Sequence, residues 1–121
     1  MKVKAIETKY GLIYGRNALT LSETELTPYP LSLVIRASLS LRSCKPMITN
    51  TPDVDVEFLF SNIKSISIYK TDDYPYERRS LSSLDLIGDM DEAGLQHVVL
   101  STYDHVFDVI GEYEIRYSQV N

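Results

Sequence analysis

Chemistry near neutral pH runs most often through histidine, and this chain has two, His97 and His105. The run Tyr103-Asp104-His105, with Asp108 close behind, sets carboxylates beside an imidazole. A histidine oriented by a carboxylate can act as a general base. Yet Asp104-His105 falls where the chain needs a turn, and turns recruit polar residues for their own reasons. His97 opens a strand and could simply face solvent. The expectation is therefore a protein without catalytic residues, with a small enzyme built on His97 or His105 as one alternative.

The remaining reactive groups give the same answer. Cys44 sits in Arg42-Ser43-Cys44-Lys45, where neighbouring cations would lower a thiol pKa. A small apolar residue at the end of a strand is the reading adopted. A single cysteine also excludes an internal disulfide and suits a reducing compartment. Asp85, Asp89, Asp91 and Glu92 crowd four carboxylates into a short stretch. The ordered Asp/Asn pattern and central glycine of a calcium loop are missing there. No metal and no cofactor are expected.

What the sequence offers instead is contact chemistry. Tyr69 to Arg79, YKTDDYPYERR, combines tyrosines and arginines with Asp72, Asp73 and Glu77. Tyr and Arg supply large contact area and directed hydrogen bonds at interfaces. Pro75 stiffens the loop and lowers the ordering cost of binding. The expected partner-binding residues are Asp72, Asp73, Tyr74, Tyr76 and Glu77, with Asp89, Asp91 and Glu92 of the second acidic loop. The carboxylates would meet Lys or Arg of the partner, and the tyrosines would anchor.

The elements that must position these residues are strands. Leu31 to Arg42 places Leu31, Leu33, Ile35, Ala37, Leu39 and Leu41 on one parity, with Val34 the one exception on the other. That is the period of a half-buried strand, not of a helix. Val54 to Phe60 alternates likewise, with Asp55 and Glu57 outward, and Ile63 to Lys70 continues it. Whether these two form a hairpin or one bent strand is left open by the pattern. His97 to Tyr117 reads as two strands joined by a tight turn. Within it Phe107, Val109, Tyr113, Ile115 and Tyr117 share one face, and Asp108, Glu112, Glu114 and Arg116 share the other. Lys2 to Thr8 is a first strand, and Leu84 to Ile87 a short one. Gly11–Tyr14 and Ala18–Leu21 are expected to pair across Gly15-Arg16-Asn17. Ala18 to Leu26 is the best place for a short helix. The sum is an all-β chain, an antiparallel β-sandwich or small open barrel of about seven to nine strands, in one domain over residues 1–121.

Seventeen Asp and Glu against twelve Lys and Arg leave a net charge of −5. Residues 1–70 carry nine basic and six acidic groups; residues 71–121 carry three and eleven. Such a chain repels phosphate backbones, so nucleic acid is not the expected partner. It would attract a basic protein and speed its association. No secretory signal follows the N-terminal lysines, and no run approaches the ~20 apolar residues of a membrane helix, so a cytoplasmic protein is expected.

Three stretches, VDVEFLFSNIKSISIYK, SSLDLIGD and HVVLSTYDHVFDVIGEYEIRY, span residues 54–117. In strand order, size and acidity they resemble the small β-rich immunity proteins of bacterial polymorphic toxin and contact-dependent inhibition systems. The resemblance implies a non-catalytic protein that binds and blocks one cognate toxin domain, often a basic nuclease. It carries over no functional residue. A ligand- or carbohydrate-binding β module is a further alternative, although the usual tryptophan platform is absent.

Overall fold

The computed structural model describes residues 3–15, 17–76 and 82–118. The strands among them are β1 (Val3–Ala5), β2 (Glu7–Thr8), β3 (Gly11–Ile13), β4 (Leu19–Pro28), β5 (Leu31–Leu39), β6 (Cys44–Lys45), β7 (Val54–Lys70), β8 (Leu84–Ile87), β9 (Gln96–Ser101) and β10 (His105–Tyr117). Single 3-10 turns follow β5 and β7, at Leu41–Ser43 and Thr71–Asp73. No helix long and apolar enough to cross a membrane occurs among the described residues. The architecture is an all-β antiparallel sandwich that does not close.

Seven strands form one sheet in the order β1-β8-β9-β10-β7-β5-β4, and β2-β3-β6 form a second. The long strands β7 and β10 span both halves of the large sheet. The first half of β7 pairs with β5, from Leu39↔Val54 to Leu33↔Phe60. Nearly all of β7 pairs with β10 on its other side, from Tyr117↔Val56 to His105↔Lys70. Residues 54–70 are therefore one strand rather than a hairpin. Its pairing with β10 jumps between Ile110↔Ser65 and Glu112↔Ser61, so Asn62, Ile63 and Lys64 bulge opposite Gly111. Asn62 takes a positive φ of 48° there. A Cβ on Gly111 would meet Ser61 O at 3.0 Å and Ile63 Cα at 3.1 Å, which is why this position lacks one.

The bulge changes the strand count by an even number, so face parity survives it. Leu33, Ile35, Ala37 and Leu39 of β5 meet Val54, Val56, Phe58 and Phe60 of β7 in one buried cluster. Leu84, Val98, Leu100, Phe107 and Val109 of the other half join it, and Ile6, Ile13, Leu41 and Cys44 fill it from the small sheet and its connections. Phe58, Phe60 and Phe107 are its largest fully buried side chains. Truncating one to alanine in such a core costs about 3–5 kcal/mol.

Several local expectations fail. The first strand, expected over Lys2 to Thr8, is divided at Ile6 between β1 of the large sheet and β2 of the small one. The strand expected over Leu31 to Arg42 ends at Leu39, and Leu41 begins a 3-10 turn. The stretch around Gly15 does turn, with φ of 86°, but the flanking strands do not pair with each other. Leu12 pairs with Glu7 and Lys45 in the small sheet, whereas β4 pairs with β5 in the large one. The stretch expected to hold a short helix is the strand β4, exposed along most of its length at the sheet's edge.

Candidate protein-binding surface

Opposite the core, the outer face of β4, β5, β7 and β10 is open, and register decides what stands on it. Glu23 lies opposite Arg36, Arg36 opposite Glu57, and Glu57 opposite Arg116. Four strands thus carry one row of alternating charge. Arg36 Nε donates to Glu57 Oε2 at 2.7 Å, and its Nη1 lies 3.2 Å from Glu23 and 3.8 Å from Glu25. The Glu57 hydrogen bond and the nearby Glu23 push the guanidinium pKa above its ordinary value, against a smaller effect of burial. The next row reads Glu25, Val34, Leu59, Glu114. Asp55 and Glu112 flank these rows on the same parity.

The face therefore gathers Glu23, Glu25, Asp55, Glu57, Glu112 and Glu114 against Arg36 and Arg116. Val34 and Leu59 lie half-buried in its middle. A small apolar centre within a charged rim is the anatomy of a protein interface. At one end, Arg36, Asp55, Glu57, Arg116 and Ser118 border a shallow groove of about 440 Å³. The groove is half-open and bordered by these charges, so it suits side chains of a protein partner better than a small ligand, whose sites are mostly enclosed.

The expected contact residues divide between two places. β9 begins opposite Gly111, so the loop that carries Asp89, Asp91 and Glu92 leaves the sheet beside the acidic face. All three are exposed. Asp91 also holds the loop's own shape, because its Oδ1 accepts from the backbone of Ala93 at 2.9 Å and of Leu95 at 2.8 Å. Asp72 and Asp73 lie in the 3-10 turn at the far end of β7, exposed, one β9 length away. Six strand residues at ~3.3 Å each put that at roughly 20 Å. Glu77 lies outside the described residues, as do Arg78 and Arg79.

Tyr74 folds back over the sheet. Its hydroxyl donates to Asp108 Oδ2 at 3.0 Å, and Asp108 Oδ1 lies 2.6 Å from His97 Nε2. Asp108 is opposite Val99 and His97 opposite Ile110, so the two are diagonal neighbours on one face. The Tyr74 ring packs edge-on between Tyr69 at 5.4 Å and Tyr76 at 5.5 Å. Tyr74 is half-buried in this stack, whereas Tyr76 is 62% exposed and open to a partner. His97 thus does not simply face solvent, as its strand-opening position suggests. It joins a carboxylate and a phenol that both fix the loop at residues 71–76. The same triplet could orient His97 as a base, and no cysteine or serine is hydrogen-bonded to it among the described residues.

His105 and Asp104 are neighbours in space as in sequence, with Nδ1 2.9 Å from Oδ1. This contact holds the Asp104 carboxyl below its ordinary range. Thr102, fully buried, ties the turn by donating to Asp104 and accepting from the His105 amide. Cys44 is buried, and burial pushes its thiol pKa up, the opposite of what a nucleophile needs. No group of metal-ligating side chains occurs among the described residues.

Comparison of the chain with protein-family models, with curated proteins and with solved structures gave no match.

Proposed function

We propose that this protein is a non-catalytic, protein-binding inhibitor of the immunity type, which neutralises a basic toxin domain by covering its positive cleft. The reading rests on one observation. Six carboxylates and two arginines share an open sheet face around Val34 and Leu59. That face carries most of the chain's net charge of −5. Such a surface steers a basic partner into encounter and competes for groups that would otherwise hold phosphate. The apolar centre supplies contact area once water leaves, and the exposed Asp89 and Glu92 extend the rim.

The test compares the wild type with the double variant Glu25→Lys, Glu114→Lys as immobilised bait in extract of the native cell at low ionic strength. A stoichiometric basic protein held by the wild type, released by salt and missed by the variant, is the expected result. Equal capture by both baits would remove the face from the binding site.

The His97–Asp108 contact favours a second reading, an acid–base enzyme centred on His97. Full protective activity of a His97→Ala variant would dispose of it.

A further inference from the structure

Among the described residues the large sheet has four places where backbone lacks a neighbouring strand. β1 is three residues long, too short to extend. β4 carries Glu23 and Glu25 and ends on Pro28, features that blunt an edge against pairing. The third is the end of β10 beyond its last pair with β9, Gly111↔Gln96, where Glu112, Glu114 and Arg116 put charge along the edge. The fourth is the second half of β7. β5 stops pairing at Phe60, so residues 61–70 are paired on the β10 side alone among the described residues. An antiparallel strand directs alternate N–H and C=O groups to each side, so this edge presents a row of donors and acceptors.

The side chains of this edge are not those of a protected one. From Ser65 to Lys70 it reads SISIYK, β-branched, without proline, glycine or an acidic residue. Ile66 and Ile68 pair with Val109 and Phe107 and so lie on the inward parity, yet Ile68 is 48% exposed. Lysines bracket the segment: Lys64 in the bulge and Lys70 at the end, both exposed. Two copies meeting antiparallel along this edge would bring Lys64 of one near Lys70 of the other. Like charges across a strand pair are destabilising, which argues against a second copy as the occupant.

We infer that the Lys64–Lys70 edge of β7 is a second binding site, which takes an extended, carboxylate-bearing segment of a partner protein as an added strand. Main-chain hydrogen bonds supply the attachment. Ile66 and Ile68 select apolar residues at alternate positions of the incoming strand. Lys64 and Lys70 select carboxylates toward its two ends. The site is distinct from the acidic face, and its occupant carries the opposite charge to the one that face selects.

The experiment uses the full chain, 15N-labelled, titrated with a capped peptide Glu-Thr-Val-Thr-Val-Thr-Glu, whose carboxylates and valines share one face, and its lysine-ended counterpart. The expected result is saturable shifts confined to residues 63–70 and their β10 neighbours, with the acidic peptide at least tenfold tighter. Lys64→Glu, Lys70→Glu should invert that preference without altering the fold, since both side chains are exposed. Glu25→Lys, Glu114→Lys should leave peptide binding unchanged, which separates this site from the acidic face. Equal affinity for the two peptides, shifts centred elsewhere, or no saturable shift at millimolar peptide would each overturn the inference.

Discussion

Asp108→Ala removes the acceptor that holds two other groups. Both its oxygens are used, one by His97 at 2.6 Å and one by the Tyr74 hydroxyl at 3.0 Å. Hydrogen bonds to a charged partner contribute about 1.5–3 kcal/mol each. The Asp108 side chain keeps 16% of its surface exposed and His97 keeps 30%, so solvent recovers part of each loss. The lower end of the range applies, giving about 2–3 kcal/mol for the pair. For a chain between the small and medium size classes each kcal/mol moves Tm by about 3–6 °C, so a drop of about 10 °C is expected. Thermal and urea unfolding followed by circular dichroism read it directly. Tyr74→Phe keeps the ring stack and loses the bond to Asp108, so it should cost about 1 kcal/mol in the wild type and less on an Asp108→Ala background. A Tm within about 2 °C of wild type for Asp108→Ala, or strict additivity of the two changes, would refute the view that this carboxylate pins the loop.

Other consequences can be checked with similar material. At Gly11 the φ is 95° and a Cβ would overlap the Lys45 carbonyl oxygen, so Gly11→Ala should destabilise by more than ~3 kcal/mol in urea titrations. Gly15 has a similar φ of 86° but open space around it, so Gly15→Ala should cost only about 1–2 kcal/mol. Asp104 is held below its unfolded pKa, so its contribution is complete above the unfolded value and lost as pH falls through the folded one. Carboxyl NMR should find Asp104 titrating below the ordinary aspartate value of 3.8, and His105→Ala should move it back up. The Cys44 thiol should react with a disulfide reagent only at the rate of global unfolding at neutral pH; fast modification of the native protein would contradict its burial.

The alternation of Leu31–Leu39 is sufficient to identify β5 and its buried face, because side chains of period two admit one arrangement when one face is dry. Its lone exception, Val34, takes its meaning only from tertiary structure: it meets Leu59 at the centre of the acidic face. The outward parity of Asp55, Glu57, Glu112, Glu114 and Arg116 is also readable along the chain. Their convergence is not, since it depends on the order β10-β7-β5-β4, and strand order is a non-local choice. Acidic loops stand out in the sequence because their charges are contiguous, whereas the denser face is assembled from single residues on four strands.

The continuity of β7 is hidden for a related reason. Ser61-Asn62 has the composition of a turn, and only the close approach of Gly111 shows a bulge instead. The pairing expected across Gly15 fails because a turn signal fixes local direction and not the partner: β3 finds Lys45, far along the chain, and β4 finds β5. His97 and Asp108 stand eleven residues apart, and their contact follows once the β9–β10 register is known. The turn that sets this register is legible at Tyr103-Asp104-His105, and counting back from it to His97 places the imidazole beside Asp108.

The most direct test of the acidic face is the association rate of the captured basic partner, measured by stopped flow across ionic strength. The wild type should associate fast at low salt and slow steeply as salt screens the field. Glu25→Lys, Glu114→Lys should reduce the low-salt rate at least tenfold and flatten its salt dependence. Identical rates and slopes for the two proteins would contradict the account.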